Sequence, residues 1–392
     1  MARTNCNYGL LRLAVLTMLV AISIGCGERR SWETINESAK AAHGEGQLEK
    51  AEQEFLAALA VAEKRGEDEH VAISLNNLGT FNTSLKRYDQ AIDYYARAIV
   101  VRERIVGPDA PELAVSYYNL GTHCQQSNHL DEARENFERA LAIREKVLGP
   151  EHQLISQVLN SLGLVAYFQG DMESAKQWLE RAVDVMERTE LAMDPKLASG
   201  YTNLAQTLSA LEEYERAQEL MTDAEAILVR HFGEDSIRVA RAKINRAEVL
   251  GHMERNDAAA KLYERAIEIY ETQLPEDHPE LTVGLNNLGT IYRTQGRFAD
   301  AESMYRRAIE ILEPLPVDAH PDLAASLFNL ARLYATQSLA DEADPLFRRA
   351  LSLYEDTLGP AHPNVASVRS GYAEFLRDNG RGDEAERIVA ER

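Results

Sequence analysis

The segment Leu285-Asn-Asn-Leu-Gly-Thr-Ile-Tyr-Arg-Thr-Gln-Gly-Arg-Phe-Ala-Asp-Ala-Glu-Ser-Met-Tyr-Arg-Arg-Ala308 decides the fold. Ala301 follows Gly289 by 12 residues, Tyr305 stands 4 beyond Ala301, and Ala308 stands 7 beyond it. Offsets of 3, 4 and 7 put side chains on one face of a helix. Gln295-Gly296-Arg297 interrupts the run, so the segment reads as two helices joined by a tight turn. Working outward, the pattern recurs in both directions. Small residues stand at Gly79, Gly121, Gly163, Ala205, Ala247, Gly289, Ala331 and Ala373, each 42 residues from the last. The first alanine repeats from Ala91 to Ala385, the large apolar residue from Tyr95 to Val389, and the second alanine from Ala98 to Ala350. Self-similarity at a period of this size is the signature of a solenoid.

The two small positions let paired helices approach closely, and the large residue between them fills the groove. Turn residues split every unit in two, as at Lys86-Arg87-Tyr88-Asp89, Ser127-Asn128-His129 and Gln169-Gly170-Asp171. Between units, Gly107-Pro108, Gly149-Pro150 and Gly359-Pro360 end one helix and open the next. An earlier, imperfect copy carries Ala51, Phe55 and Ala58, with Trp32 and Ile35 suited to its first helix. The expected fold is all-α, a solenoid of about nine helix-turn-helix pairs. Residues 31–70 form a divergent first repeat and 71–392 form eight 42-residue repeats, the last truncated. Lys243 and Arg246 stand where Leu or Tyr is usual, so a looser junction is expected there.

Composition agrees with helices and narrows the function. Of 392 residues 45% are hydrophobic, enough for a large core, and only 12 are Pro. A formal net charge of −21 repels phosphate backbones and argues against nucleic acid as a partner. Cys6, Cys26 and Cys124 form no CxxC pair, so neither a zinc site nor thioredoxin-like chemistry is indicated.

Residues 1–25 stand apart from the repeats. Arg3 and Arg12 precede the apolar run Leu13-Ala-Val-Leu-Thr-Met-Leu-Val-Ala-Ile-Ser-Ile-Gly-Cys26, and no acid appears before Glu28. The run is shorter than the ~20 residues a membrane-spanning helix needs and has the length of a secretory signal core. Ile22-Ser23-Ile24-Gly25-Cys26 resembles a bacterial lipobox, with a small residue before the cysteine; Ser23 departs from the usual Leu. The resemblance implies cleavage before Cys26, acylation there, a short tether over 26–30 and an exported, membrane-anchored, periplasm-facing chain. An ordinary cleaved signal and an uncleaved anchor are the alternatives. Removing 1–25 deletes two Arg and no acid, giving −21 − 2 = −23 for the mature chain.

Leu-Gly followed by Ala, Tyr or Phe, and Ala at these offsets resembles the tetratricopeptide repeat, lengthened here to the 42 residues of the kinesin light chain variety. Ala350-Leu-Ser-Leu-Tyr-Glu-Asp-Thr-Leu-Gly-Pro-Ala-His-Pro363 shares that likeness. The resemblance implies a right-handed superhelix and a role in capturing proteins or peptides.

No catalytic motif is present: there is no P-loop, G-x-S-x-G or H-E-x-x-H, and Gly44-Glu-Gly46 lacks a third glycine. Neither an enzyme, a cofactor, a metal nor a small-molecule substrate is indicated. His152, His278, His320 and His362 share one register beside prolines and read as helix-start residues, since stacked repeats hold equivalent positions too far apart for a shared metal. Cys124 reads as a buried thiol.

Asparagine carries more information. Asn77, Asn119, Asn203, Asn245, Asn287 and Asn329 each precede the small residue by two, with Ser161 and Gly371 as exceptions. By the family resemblance this position faces the concave groove and hydrogen-bonds the backbone of an extended peptide. A side-chain amide offers donors and an acceptor for that purpose. An inter-repeat ladder that orients neighbouring helices is the alternative, and the two are compatible. Near these residues lie Thr80, Ser84, Tyr118, Thr122, Gln126, Tyr167 and Phe168 in the N-terminal half. In the C-terminal half lie Arg293 and Arg332 with Thr290, Thr294 and Phe328. Two guanidinium groups on adjacent first helices suit a partner carrying carboxylates, unless nearby Glu already neutralises them. Two functions follow. One is a membrane-tethered scaffold binding an extended peptide or protein tail in the groove. The other is an assembly component of a cell-envelope complex that grips a folded partner by its convex face.

Overall fold

The computed structural model describes residues 30–189 and 194–390, and among them the regular elements are 18 α-helices and one 3-10 turn, with no strand. The chain divides into two compact units at Val185. In the first, hairpins pair α1 (Trp32–Gly44) with α2 (Leu48–Arg65), α3 (Asp68–Ser84) with α4 (Tyr88–Val106), and α5 (Pro111–Gln126) with α6 (Leu130–Leu148). Then come α7 (Gln153–Phe168) and α8 (Met172–Glu187), whose last turn holds the boundary. The second unit pairs α9 (Pro195–Ala210) with α10 (Tyr214–Phe232), α11 (Ile237–His252) with α12 (Asn256–Gln273), and α13 (Leu281–Thr294) with α14 (Phe298–Leu312). It continues with α15 (His320–Thr336), α16 (Ala340–Leu358), α17 (Pro363–Asp378) and α18 (Gly382–Ala390). Within each unit a helix packs on its chain neighbours, and first helices also touch the next first helix, as α1 does α3 and α13 does α15. First helices are thus in contact at α1 to α3 and α5 to α7 in the first unit and from α11 through α17 in the second.

The small residues work as their positions suggest. A Cβ placed on Gly79, Gly121 or Gly289 would lie 2.6, 2.8 or 2.7 Å from a ring carbon of Tyr95, Phe137 or Tyr305. Both pattern alanines of every second helix from α2 to α16 are buried, as is Ala385 of α18. Phe137 is wholly buried, a contribution of ~1.5–3 kcal/mol from its side chain. Val389 departs from the pattern and is exposed.

Helix ends follow a second 42-residue register. Gly107, Gly149, Gly233 and Gly359 close α4, α6, α10 and α16 with φ of 79 to 85° and ψ of 156 to 163°. That region is open only to glycine. Inside the hairpins the turn residue is always left-handed, yet only Gly46, Gly170, Gly296 and Gly380 are glycines there. Lys86, Asn128, Glu212, Glu254 and Ser338 hold the same conformation at φ of 57 to 62°. The histidines of the shared register start helices. Nδ1 of His152, His278 and His362 accepts from the backbone N–H of Leu154, Glu280 and Asn364 at 3.1, 3.2 and 3.2 Å. His320 differs, being the first residue of α15 after the 3-10 turn Val317–Ala319.

The junction expected to be loose is instead closed by an ion triad. Buried Lys243 of α11 bonds one oxygen of Glu225 on α10, and Arg246 Nη1 bonds the other at 3.0 Å. Polar replacements at two core positions are thus matched by a carboxylate on the preceding helix.

Candidate functional site

The asparagine register does not behave as one ladder. Asn77 Nδ2 donates to Asn36 Oδ1 of the preceding first helix at 2.8 Å, an inter-repeat bond. Asn119 is exposed and lines a cleft of about 470 Å³ with Asn76, Thr80 and Thr122. Asn203 and Asn245 line a second cleft, of about 500 Å³, between α9 and α11. Asn287 and Asn329, both half-buried, line neither. Asn77 and Asn119 belong to the first unit and the other four to the second.

The two exceptions each meet an aromatic residue of the preceding first helix. At Ser161 the hydroxyl meets the Tyr118 hydroxyl of the preceding first helix at 3.4 Å. At Gly371 an added Cβ would lie 2.9 Å from the Phe328 ring. Wherever the residue before the register asparagine is aromatic, the next repeat carries a small residue to receive the ring. Most hydroxyls on this face are spent within their own helices. Thr80 and Thr122 donate to the carbonyls of Asn76 and Tyr118 four residues back, and Ser84 and Thr294 to those of Phe81 and Ile291. Phe168 stays 60% exposed at the end of α7.

Arg293 and Arg332 stand on the contacting first helices α13 and α15. The buried Tyr305 hydroxyl shares a hydrogen bond of 3.0 Å with Thr290. Burial pushes the Tyr305 pKa up, while the Thr290 bond and the two guanidinium charges act the other way. Neither arginine makes an ion pair among the described residues, although Arg297, Arg306, Arg307, Arg348 and Arg349 of the same unit all do. Arg332 also lies over the Phe328 ring at 5.7 Å. Two unneutralised cations on neighbouring first helices, one of them beside an aromatic ring, can accept carboxylates with charge-assisted bonds. Sequence reasoning missed the bond from the Tyr305 hydroxyl to Thr290, because the position of Tyr305 in the repeat marks it only as core.

The second helices present a different surface. Arg181–Glu145, Arg307–Glu271 and Arg349–Glu313 link consecutive second helices in one register. Cys124 is buried, which pushes its thiol up to about 11. Among the described residues no group of His, Cys, Asp and Glu could hold a metal, and no helix is long and apolar enough to cross a membrane. Cys26 and the segment 1–25 lie outside the described residues.

A tetratricopeptide repeat model matches eight overlapping windows, from residues 33–98 to 322–391. No curated protein sequence matches the chain. Among solved structures, BtubC (BKLC) from P. vanneervenii is 21% identical and aligns over 60% of this chain and 94% of its own, with a TM-score of 0.50. The apo form of RapI is 17% identical over 70% of this chain and 94% of its own, with a TM-score of 0.57. Kinesin light chain-like repeats from Podosopora anserina are 21% identical over 53% of this chain and 98% of theirs, with a TM-score of 0.46. Eighteen helices in hairpins, the 42-residue register and the matched windows together place this chain in the tetratricopeptide repeat family.

Proposed function

We propose that this chain is an interaction scaffold that holds an extended, carboxylate-bearing peptide or protein tail on the face of its first helices, tethered to a bacterial membrane through acylated Cys26. The observation that carries the reading is that Arg293 and Arg332, on contacting first helices, make no ion pair among the described residues in a chain of net charge −21. Cations without an acid partner on so acidic a protein form a local site of attraction for a partner's carboxylates. Affinity capture from membranes with the mature chain as bait, run beside Arg293→Ala/Arg332→Ala, tests the reading. A partner retained by the unmodified chain and lost by the variant supports it, and a partner retained equally by both rejects it.

A second reading, a component of an envelope assembly that grips a folded partner, is favoured by exposed Ile105, Val106, Val147 and Leu148 at the ends of α4 and α6. These apolar side chains recur in one register on successive second helices. Val106→Asp/Leu148→Asp would abolish capture under that reading and leave it intact under the first.

A further inference from the structure

One edge of the first unit gathers the starts of its first helices and the ends of its second helices. Trp32, which opens α1, stacks on His70 near the start of α3 with ring centroids 4.0 Å apart. Asp68, the first residue of α3, lies 3.7 Å from Arg104 in the last turn of α4. Lys146 in the last turn of α6 reaches back to Asp109, just before α5, at 2.7 Å. Arg144 donates to the carbonyl of Leu154 at the start of α7, also at 2.7 Å. The edge therefore runs from α1 to α7, and the chain enters it at Ser31, directly after the segment 26–30.

Aliphatic side chains stay partly exposed along this edge. Ile105 and Val106 close α4 at 42% and 48% exposure, and Val147 and Leu148, 42 residues on, close α6 at 47% and 40%. Leu154 joins them at 39%. The charges around them are paired with one another: Glu67 with Arg65 and His70, Asp68 with Arg104, and Asp109 with Arg139 and Lys146. Whatever covers the row is therefore held by apolar contact and not by charge. A row of this kind marks a contact with protein or lipid.

The position of the anchor selects lipid. With Cys26 acylated, the five residues 26–30 extend no further than ~18 Å, so the start of α1 stands within that distance of the headgroups. The opposite edge, where the hairpin turns lie, is a helix length away, ~25 Å. The edge that starts at the anchor and the edge that carries the aliphatic row are the same one.

We infer that this edge of the first unit is a membrane-contacting surface, in which Ile105, Val106, Val147, Leu148 and Leu154 enter the boundary of the bilayer beside the acyl anchor. A shallow apolar contact of this sort supplements a lipid anchor and fixes how the unit stands on the membrane. The inference rests on the reading of Cys26 as acylated. It gives to lipid the side chains that the second reading gives to a folded partner.

The test uses the acylated, full mature chain in phosphatidylcholine vesicles that carry a nitroxide-labelled lipid. An environment-sensitive fluorophore is placed in turn on Val106→Cys, Leu148→Cys and Gln126→Cys. Gln126 is exposed and ends α5 at the opposite edge, and Cys124 is buried from the label. The nitroxide should quench the probes at 106 and 148 severalfold more strongly than the probe at 126, and high salt should leave the difference in place. Adding Ile105→Asp/Val147→Asp should reduce quenching at 106 and 148 to the level at 126, while the chain still floats with the vesicles through its anchor. Circular dichroism checks that this variant keeps its helix content. Equal quenching at all three positions in a chain that floats overturns the lipid contact and leaves the anchor standing. Loss of protein capture in Val106→Asp/Leu148→Asp would then assign the row to a folded partner. A chain that does not float with the vesicles overturns the anchor and the contact together.

Discussion

Replacing Glu225 by Gln should be among the most damaging single changes in the second unit. The side chains of Glu225 and Lys243 are 10% and 8% exposed, so their charges have little water to fall back on. Arg246, at 26%, can recover part of its hydration when the carboxylate is lost. Breaking a buried pair by removing one partner costs ~3–5 kcal/mol, and the partial exposure of Arg246 puts this case at the lower end. A loss of ~3 kcal/mol corresponds to about a hundredfold rise in the opening constant of the surrounding helices. Hydrogen exchange should show that rise in α10, α11 and α12 with little change in α16 or α17, because each repeat is stabilised by its neighbours. Lys243→Met keeps Glu225 paired with Arg246 and should change stability by less than ~1.5 kcal/mol. Combining Glu225→Gln with Lys243→Met should recover most of the loss. An opening constant for Glu225→Gln within a factor of ~3 of the unmodified chain would refute the triad's role. A double variant no better than the single one would refute its attribution to Lys243.

Three further outcomes follow from the local geometry. Lys86→Gly and Glu212→Gly relieve a left-handed backbone and should each stabilise by ~0.5–1 kcal/mol in urea denaturation, whereas Asn128→Gly should gain less because Asn tolerates that conformation. His362→Ala removes the cap of α17 and should cost ~1 kcal/mol by the same assay, while His362→Asn, which keeps an acceptor, should cost much less. Cys26→Ser should abolish labelling by a fatty-acid analogue and impair removal of the leader; equal labelling would reject the lipobox assignment.

The periodic core was open to sequence reading because it depends on local offsets. Gly289, Ala301 and Tyr305 meet within one hairpin, so a spacing of 16 residues already encodes their contact. Contacts between repeats were harder to read. Lys243 and Arg246 looked like flaws because their partner, Glu225, sits on another helix at a position no repeat pattern marks. The asparagine register was visible, but its division of labour was not. Asn77 is spent on Asn36, whereas Asn119 faces a cleft, and the same offset gives no hint of the difference. Ser161 and Gly371 seemed arbitrary until Tyr118 and Phe328 of the preceding repeats were placed against them. In each case the missing information was how one helix lies on the next.

The central claim is that the first-helix face binds the partner through backbone-directed amides and paired guanidinium groups. Titration calorimetry of the captured partner at two ionic strengths tests it directly, using Asn287→Ala/Asn329→Ala and Arg293→Ala/Arg332→Ala. Each lost amide contact should weaken binding by ~0.5–1.5 kcal/mol at either ionic strength. The arginine pair should cost more, since charge-assisted bonds are roughly twice as strong, and its effect should shrink as salt rises. Both double variants binding like the unmodified protein would contradict the claim and move the site off this face.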